Sequence, residues 1–555
     1  MDKKILNLNV GVLGHVDSGK TSLAKVLSTK ASTASFDKNP QSQERGITID
    51  LGFSSSSCDM PEILKSTSGL EKLQFTFVDC PGHASLIRTI IGGAQIIDMM
   101  ILVIDITKGM QTQTAECLII GELSCDKMIV VLNKIDLLPP KTREISVQKV
   151  MKKMRLTLSN TIFKDSPIVS VAARPGGAEE DNKPEGIQDL IRVLQETAFV
   201  PKRDISQPFL FAVDHCFSVR GQGTVLTGTV LQGCISINDT IEIPALKLSK
   251  KVKSLQMFRE PVSQAGPGDR IGVCVTQFDP KQVERGLLCA PGYVSPIFAA
   301  VISLEKIKYF KGSIKSKARF HISMGHETIM ASITVFGLMS CDCHDSKEAS
   351  ESDRLDLDGV YRFLNALHVK DEDSEKAESK EMPVKQYALL EFERSVMAVP
   401  SCLVIGSKLD IDIHSTTCRL AFHGRLLEGF GDKNYATSVL PKLKVYREKC
   451  KQGIVERSLD SDNVIVKNMF KKETNIQLFT GMKVALSTGE KGLIDSSFGL
   501  SGKVKIRIPN GLQESTLARL SVKKKEKTSQ IENEVIKVTL HFKKFIYDPQ
   551  KRMFQ

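Results

Sequence analysis

The feature that most constrains this chain is a glycine-rich octapeptide, Gly14-His15-Val16-Asp17-Ser18-Gly19-Lys20-Thr21. It follows an apolar run at residues 8–13, which predicts a buried strand, and precedes residues 22–27, which predict a helix that begins near Ser22. A strand that leads through a glycine-rich turn into a helix is the context of a phosphate-binding P-loop. Backbone N–H groups of the turn and the positive end of the helix would hold polyphosphate. Lys20 would reach the β- and γ-phosphates, and the Thr21 hydroxyl would ligate Mg²⁺.

Two further segments indicate which base is bound. Asn133-Lys134-Ile135-Asp136 ends an apolar run at residues 128–132, and the Asp136 carboxylate can accept from the two adjacent N–H donors of guanine. The Asn133 amide and the stem of Lys134 would hold the other edge and the face of the ring. Ser170-Val171-Ala172 follows another apolar run, at a position where a backbone N–H can meet the guanine oxygen.

The segment Asp79-Cys80-Pro81-Gly82-His83 closes the strand predicted at residues 73–78. There Asp79 can hold Mg²⁺ through a water molecule, and the Gly82 N–H can touch the γ-phosphate. Each of these motifs alone could be an ordinary turn. Four of them in this order, each at the end of a strand, predict that the nucleotide is GTP.

Residues 43–53, which include Arg45-Gly46-Ile47-Thr48-Ile49, lie between the P-loop and Asp79. Thr48 can complete the Mg²⁺ shell only while a γ-phosphate is present. We therefore predict that this segment and residues 80–95 form a pair of switches.

Together these motifs resemble the translational GTPases of the elongation factor Tu type. The resemblance implies that His83 is the catalytic residue, because the histidine at this place in the family orients the attacking water. It also implies that Val16 and Ile47 form an apolar gate over His83 until the ribosome opens it.

The chain of 555 residues suggests several domains, and the pattern of predicted strands and helices changes along it. To about residue 200, strands alternate with helical segments at 112–123, 143–157 and 186–198, which predicts an α/β P-loop GTPase domain. Short alternating runs then predict two β-barrels, at 207–295 and 296–423. Residues 341–385, with 13 acidic and 7 basic side chains, are predicted to be a disordered insertion in the second barrel. A basic, mainly β domain is predicted at 424–555.

The excess positive charge lies in the last quarter of the chain. Residues 425–555 contain 26 Lys and Arg against 14 Asp and Glu, a net of +12, which equals the net charge of the whole chain. A domain with this imbalance favours a nucleic-acid partner, RNA or the ribosome. The run Lys523-Lys524-Lys525-Glu526-Lys527 is interpreted as a flexible hinge or loop, with a nuclear targeting signal as the alternative.

Thirteen scattered cysteines without a paired framework are typical of a reduced, intracellular protein. Cys341-Asp342-Cys343-His344 lacks a second ligand pair at zinc spacing, so we predict no metal there. The longest apolar stretch, residues 96–106, is too short to span a bilayer, and no signal peptide is visible. We expect a cytoplasmic protein without a membrane partner.

Nearly the whole chain, outside 341–385 and parts of 510–535, resembles a narrower family, the eukaryotic selenocysteine-specific elongation factors. The segments that carry this resemblance are residues 213–224 (Val-Asp-His-Cys-Phe-Ser-Val-Arg-Gly-Gln-Gly-Thr), Gly268-Asp269-Arg270, Phe278-Asp279-Pro280, residues 471–479 (Lys-Lys-Glu-Thr-Asn-Ile-Gln-Leu-Phe) and Phe498-Gly499-Leu500-Ser501-Gly502-Lys503. The resemblance places Asp214, His215 and Arg270 in a selenocysteine pocket. It also implies a separate adaptor protein on the mRNA insertion element, because nothing here looks like the winged-helix modules of the bacterial relatives.

Elementary chemistry supplies a reason for such a pocket. A cysteine thiol, with a pKa of about 8.5, is mostly neutral at pH 7, whereas a selenol is markedly more acidic. Selenocysteine therefore arrives as an anion and serine does not. Arg270 and a protonated His215 would supply positive charge that Asp214 orients, and a serine-loaded tRNA would leave that buried charge unpaired.

The sequence thus predicts a GTPase that uses Mg²⁺, delivers selenocysteinyl-tRNA to a ribosome at recoded UGA codons, and releases the tRNA on hydrolysis. Two alternatives stay open. One is another aminoacyl-tRNA or initiator-tRNA carrier, such as the gamma subunit of initiation factor two. The other is a GTP-gated scaffold that does not hydrolyse GTP and tethers RNA through its C-terminal domain.

Overall fold

The computed structural model describes residues 5–31, 51–82, 87–94, 96–176, 182–283, 285–339, 355–357, 359–369, 383–410, 417–499, 502–522, 535–550 and 552–555. These residues form two compact units. The first unit comprises Met1–Ile333 and Leu389–Gly431, and the second comprises Thr334–Ala388 and Asp432–Gln555.

The first unit begins with a seven-stranded sheet. Its strands are β1 (Ile5–Gly14), β2 (Lys30–Ala31), β3 (Gly52–Asp59), β4 (Lys72–Asp79), β5 (Met99–Asp105), β6 (Lys127–Asn133) and β7 (Ile168–Ser170). The spatial order is β2-β3-β4-β1-β5-β6-β7. Strands β4, β1, β5, β6 and β7 are parallel, and β3 and β2 add an antiparallel edge.

The helices of this domain are α1 (Lys20–Leu27), α2 (Glu62–Ser68), α3 (Ile87–Ala94), α4 (Thr112–Ser124), α5 (Arg143–Leu158) and α6 (Ile187–Thr197). The helices predicted at 112–123, 143–157 and 186–198 are confirmed by α4, α5 and α6. A short 3₁₀ turn, Ile135–Leu137, follows β6. All seven residues of β5 are buried, as expected for a parallel strand with both faces covered. Because parallel strands end at one edge of the sheet, the P-loop and the loops after β4, β6 and β7 meet there.

The second domain of this unit is a closed barrel. Its strands are β8 (Leu210–Val219), β9 (Gly223–Gln232), β10 (Ile235–Ser236), β11 (Thr240–Ile243), β12 (Leu248–Met257), β13 (Glu260–Val262), β14 (Gln264–Ala265), β15 (Arg270–Val275) and β16 (Gly286–Cys289). The order β11-β16-β8-β9-β15-β12 closes because β12 also pairs with β11. Short 3₁₀ turns span Pro244–Leu246 and Pro280–Gln282. The predicted barrel is confirmed.

The next strands along the chain are β17 (Pro296–Ser303), β18 (Glu305–Lys306), β19 (Arg319–Met324), β20 (Glu327–Met339), β21 (Val360–Leu364), β22 (Pro383–Met397), β23 (Leu403–Ser407) and β24 (Leu420–Phe430). The order β19-β23-β24-β17-β22-β20, closed by pairing of β19 with β20, makes the second predicted barrel. Strands β20 and β22 contribute residues to both units.

The prediction of disorder throughout 341–385 is wrong for β21. Residues 360–364 form a strand because Tyr361 and Phe363 supply buried apolar side chains inside an otherwise polar segment. Tyr361 packs in edge-to-face contacts on Phe336 and Tyr387. Most of the remaining residues of 341–385 lie outside the described ranges, as does the cluster Cys341-Asp342-Cys343-His344.

The second unit contains a third closed barrel, with the order β25-β26-β29-β28-β27-β30 and a closing pair between β25 and β30. Its elements are β25 (Lys444–Ser458), β26 (Asn463–Lys467), β27 (Lys483–Leu486), β28 (Lys491–Phe498), β29 (Lys503–Arg507), β30 (Lys537–Phe545), β31 (Met553–Phe554), α7 (Tyr435–Ser438), α8 (Glu514–Val522) and the 3₁₀ turns Leu440–Lys442 and Ile476–Phe479. Strand β21 runs parallel to β25. The mainly β character predicted for this region is confirmed.

In the part of the chain that the structure describes, no helix combines the length and the apolar composition needed to cross a lipid bilayer.

Candidate functional site

The phosphate end of the site is the loop between β1 and α1. Gly14 ends β1, and Gly19, at φ +87°, precedes the first residue of α1. A Cβ on Gly19 would lie 2.2 Å from the side-chain nitrogen of Asn133, so only glycine fits this close approach. Ser18 is buried, and its hydroxyl has no hydrogen-bond partner among the described residues. The loop therefore retains a free polar group and the backbone shape that a polyphosphate requires.

The Lys20 side chain lies between the P-loop and the loop after β4. Its Nζ donates to the His15 carbonyl at 2.7 Å, and a Cβ on Gly82 would come within 2.2 Å of the same Nζ. Burial lowers the pKa of Lys20, and the nearby Asp79 carboxylate opposes that shift. The two loops thus converge on one ammonium group, as the predicted β- and γ-phosphate contacts require.

Thr21 and Asp79, the two predicted magnesium ligands in the described residues, are in direct contact. The Thr21 hydroxyl donates to Asp79 Oδ2 at 2.7 Å, and Asp79 is buried. A hydroxyl and a carboxylate at one point form a hard oxygen donor set of the kind that suits Mg²⁺. Thr48, the third predicted ligand, lies outside the described ranges together with Ile47 and His83.

At the base end, Asn133 joins the P-loop to the loop after β7. Its Nδ2 donates to the Ser18 carbonyl at 2.9 Å, and its Oδ1 accepts from the Ala173 N–H at 3.1 Å. The sequence placed this amide against the edge of the guanine ring. In the structure both of its polar ends contact the protein, so Asn133 fixes the spacing of two loops.

The structure narrows the predicted contact from Ser170-Val171-Ala172 to the guanine oxygen, because two of the three backbone N–H groups are already bonded within the protein. The N–H of Val171 donates to the Leu132 carbonyl at 2.8 Å, and that of Ala172 donates to the Glu185 carbonyl at 3.1 Å. Both residues are fully buried. The Val171 bond continues the pairing of β7 with β6 past Ser170, and the Ala172 bond belongs to an isolated bridge with Glu185. A count of apolar residues reveals neither bond.

Lys134 and Asp136 retain positions that suit the predicted base contacts. Lys134, at φ +68°, places its Nζ 2.9 Å from Asp105 Oδ2, which holds the aliphatic stem in one direction. Burial raises the pKa of Asp105, but hydrogen bonds from Thr107 and Lys134 outweigh it and lower that pKa overall. Asp136 is half-buried, and its Oδ2 accepts a long hydrogen bond of 3.4 Å from the Gly176 N–H.

A second constellation lies where the first barrel meets the GTPase-like domain. Arg270 Nη1 donates to Asp214 Oδ2 at 2.5 Å, and each of the two side chains is only 3% exposed. The ring of Phe53, from β3, lies under the guanidinium with its centroid 3.1 Å from Cζ. Among the described residues, the Nε and Nη2 atoms of Arg270 have no hydrogen-bond partner. Burial lowers the pKa of Arg270, whereas the Asp214 carboxylate raises it.

His215 follows Asp214 on β8, and a regular strand would point the two side chains to opposite faces. The pairing of β8 with β9 shifts register between Val213 and His215, which is a β-bulge. Because the bulge re-aims the chain, Asp214 and His215 line the same cavity, of about 330 Å³. The structure thus brings the three predicted pocket residues to one region, with Asp214 between the cavity and Arg270.

Sequence reasoning missed several side chains that line this cavity. Arg88 comes from α3, Arg285 from the first barrel, and Arg394 from the second barrel, where Arg394 pairs with Glu327. These residues lie far apart along the chain. Arg88 falls in the predicted switch segment 80–95, but Arg285 and Arg394 belong to segments without a motif. With Arg270 behind Asp214, four arginines face two carboxylates here, so the region carries an excess of positive charge.

Comparison with known protein families finds matches along most of the chain. Residues 6–210 match the elongation factor Tu GTP binding domain, and residues 223–289 match elongation factor Tu domain 2. Residues 301–424 match the third domain of eukaryotic selenocysteine-specific elongation factors, and residues 441–551 match the eEFSec C-terminal RIFT domain.

Whole proteins match over nearly the full length. The selenocysteine-specific elongation factor of Mus musculus is 54% identical over 580 residues, covering 99% of each chain. That of Methanocaldococcus jannaschii is 31% identical over 505 residues, covering 89% of this chain and 93% of the relative. Among solved structures, translation elongation factor SelB of Methanococcus maripaludis in complex with the GTP analogue GPPNHP has a TM-score of 0.65 at 25% identity. The match covers 97% of this chain and 98% of that one.

Proposed function

This chain belongs to the eukaryotic selenocysteine-specific elongation factors, which are translational GTPases, and on that premise we propose how it selects and delivers its cargo. It carries selenocysteinyl-tRNA in the GTP form to a ribosome that decodes a recoded UGA, and hydrolysis releases the tRNA. The observation that carries this proposal is the buried Arg270–Asp214 pair, whose guanidinium keeps two N–H-bearing atoms without a partner among the described residues.

Selectivity for selenocysteine rests on charge. A selenolate that enters beside Arg270 would accept from its Nε and Nη2, and His215, when protonated, would add to the positive field. A serine hydroxyl offers no charge, so Nε and Nη2 of the buried guanidinium would stay without an anionic acceptor. Hydrogen bonds to a charged group are worth about 1.5–3 kcal/mol, which corresponds to a preference of roughly 10- to 150-fold.

The tRNA end would occupy the cavity next to this pocket. Arg88, Arg285 and Arg394 converge there from three domains, and guanidinium groups bind phosphate through paired N–H donors. Because Asp214 and His215 line the same cavity, a terminal nucleotide phosphate held by these arginines would lie close to the esterified amino acid.

GTP and Mg²⁺ would occupy the loops at the carboxyl edge of the sheet. Thr21, Asp79 through a water, and Thr48 would hold Mg²⁺, and the Thr21–Asp79 contact fits this role. The ion would neutralise negative charge on the β- and γ-phosphates. Lys20 would add a second positive charge beside the same oxygens.

His83 would orient the water that attacks the γ-phosphate. Gly82, the preceding residue, lies so close to the P-loop that a Cβ there would be 2.9 Å from the Val16 nitrogen. We expect Val16 and Ile47 to keep water from His83 until codon recognition. His83→Ala should abolish ribosome-stimulated GTP hydrolysis and leave GTP affinity within about twofold. Hydrolysis retained by His83→Ala would exclude His83 as the catalytic residue, whereas a wild-type protein that hydrolyses no GTP on the ribosome would favour the scaffold alternative.

The basic C-terminal region would contact RNA, the ribosome, or an adaptor protein bound to the mRNA insertion element. Its net charge of +12 is the support for this assignment, since phosphate backbones attract such a surface. We place the protein in the cytoplasm, with the run Lys523-Lys524-Lys525-Glu526-Lys527 as the candidate segment for nuclear entry.

The deciding experiment is equilibrium binding of the GTP form to one tRNA body esterified with selenocysteine, serine or methionine. We expect selenocysteine to bind at least about tenfold more tightly than serine, and Arg270→Ala to remove most of that difference. Equal binding of all three would overturn the selenolate pocket. A preference for methionine would identify an initiator-tRNA carrier.

A further inference from the structure

Arg203 lies in the segment between the GTPase domain and the first barrel and joins three parts of the first unit. Its Nη1 donates to the Pro267 carbonyl at 2.5 Å, and its Nη2 donates to the Asn7 carbonyl at 2.8 Å. The same Nη2 lies 2.6 Å from Asp98 Oδ2, and both side chains are less than one-fifth exposed. Asp98 Oδ2 also accepts from the Asn9 N–H at 2.7 Å.

Two buried asparagines on β1 bind Gly268, which follows Pro267 in the turn before β15. Asn7 Nδ2 donates to the Gly268 carbonyl at 2.5 Å, and Asn9 Nδ2 donates to it at 3.0 Å. Asn7 Oδ1 accepts from the Thr76 hydroxyl on β4 at 2.7 Å. Two adjacent carbonyls of the barrel are therefore held by the GTPase domain and the connecting segment.

The turn that receives these bonds leads directly into Arg270. Asp269 Oδ2 accepts from the Gly266 N–H at 2.9 Å, and Gly268 N–H donates to the Val230 carbonyl at 2.7 Å. Gly268 has φ +81°, and a Cβ there would lie 0.8 Å from Arg203 Nη1. The guanidinium of Arg203 thus fills the space where any other residue would carry its side chain.

We infer that Arg203, held by Asp98, is a positioning residue that sets the turn before β15 and thereby aims Arg270 at the selenocysteine pocket. Arg203 does not line the cavity or contact Asp214, so it acts through Arg270. The inference rests on the proposed function, because it concerns the pocket that distinguishes selenocysteine from serine. The turn spans only Gly266 to Asp269. In so short a turn, a displacement of the Pro267 carbonyl that Arg203 holds would also displace the next residue, Arg270.

The test is the ratio of seryl-tRNA to selenocysteinyl-tRNA dissociation constants, measured on the full chain in the GTP form with one tRNA body. The variants are Arg203→Ala, Arg203→Lys, Arg270→Ala and the double Arg203→Ala/Arg270→Ala. We expect Arg203→Ala to lower the ratio about tenfold by weakening selenocysteinyl-tRNA, with seryl-tRNA and GTP affinities within about twofold of wild type. Arg203→Lys, which keeps the charge beside Asp98, should recover part of the ratio. In the Arg270→Ala background, Arg203→Ala should lower the ratio no further.

Arg419→Ala is the matched control, because it also removes a buried arginine that bridges two domains. Arg419 pairs with Glu116 on α4 and does not touch the turn. The ratio of seryl-tRNA to selenocysteinyl-tRNA dissociation constants in Arg419→Ala should equal that of wild type. An unchanged ratio in Arg203→Ala, an equal loss for both tRNAs, or additive losses in the double variant would each overturn the positioning role. A wild-type ratio near one would overturn the proposed function and this inference with it.

Discussion

The guanidinium carbon of Arg270 lies 3.1 Å from the centre of the Phe53 ring. Phe53 is fully buried on β3 of the GTPase domain, whereas Arg270 is the first residue of β15 in the first barrel. A cation over the face of an aromatic ring is attracted by its quadrupole, most strongly when water is excluded. Two domains therefore build the wall of the proposed amino-acid pocket.

Phe53→Leu should weaken binding of selenocysteinyl-tRNA. Leucine keeps an apolar side chain beside Arg270 but removes the ring face, and a desolvated cation–π contact is worth about 2 kcal/mol, or roughly 30-fold. The measurement is tRNA affinity in the GTP form. Phe75→Leu is the control, since Phe75 is a buried phenylalanine of the same sheet that stacks on Phe77. Equal losses in the two variants would refute a specific role for the ring.

Glu116→Ala should destabilise the protein by about 3–5 kcal/mol. Arg419 binds Glu116 through two parallel hydrogen bonds, of 2.9 Å and 2.6 Å, and both side chains are buried. Loss of the carboxylate leaves a buried guanidinium without its counter-ion. The readout is the thermal unfolding midpoint at one scan rate. Asp189→Ala breaks the exposed pair with Arg192 and should shift the midpoint little, since such pairs contribute under about 1 kcal/mol. Similar midpoint shifts in Glu116→Ala and Asp189→Ala would argue against a stabilising role for the buried Arg419–Glu116 pair.

Gly82→Ala should reduce GTP affinity by at least about tenfold, because the new Cβ would displace the Lys20 ammonium, 2.2 Å away, and press on the P-loop backbone at Val16 N, 2.9 Å away. Nucleotide binding by fluorescence titration is the measurement. Gly69→Ala serves as the control: Gly69 has φ +68° but no atom within 4 Å of the added Cβ. It should cost about 1 kcal/mol of stability and leave nucleotide affinity unchanged. An unaltered affinity in Gly82→Ala would contradict the predicted γ-phosphate contact.

Stability should fall as the pH drops through the range below 6.5, and His321 should contribute to that fall. Burial lowers the pKa of His321; Asp410 opposes this, whereas Arg88 and Lys408 add to it. With a pKa lower in the folded state than in the unfolded one, the unfolded chain binds more protons between the two values. Stability therefore rises with pH across that window, by at most about 1.4 kcal/mol per pH unit for one group. Thermal midpoints from pH 5 to 8 should depend less on pH in His321→Gln. If the thermal midpoints of wild type and His321→Gln change equally with pH, His321 does not contribute to the pH dependence of stability.

Each motif of the candidate nucleotide site is local in sequence, so the elements that carry it were predictable. A strand, a glycine turn and a helix in succession place Lys20 and Thr21 without knowledge of the rest of the chain. The contact between Thr21 and Asp79 follows from adjacent parallel strands that end at one edge. The proximity of Asp214 and Arg270 was predictable only through family resemblance, because the segments that carry them have no pattern that pairs them.

Other features depend on pairings that no local pattern encodes. The bulge between Val213 and His215 aims two consecutive side chains at one cavity, and an alternating pattern predicts the opposite. The strand Val360–Leu364 is hidden in an acidic segment because its stability comes from Phe336 and Tyr387, elsewhere in the chain. Arg203 carries no motif, and its three partners come from three separate segments.

Strand β1 fixes the distance between the turn before Arg270 and the phosphate loop. Asn7 and Asn9 near its start grip the turn before Arg270, and Gly14 at its end opens the phosphate loop. Five residues of extended chain set Asn9 and Gly14 roughly 16 Å apart. One inserted residue between them would turn both asparagines to the opposite face of the sheet or displace the loop from its helix. The spacing along this single strand therefore links the turn before Arg270 to the phosphate loop, so that neither can be displaced without the other.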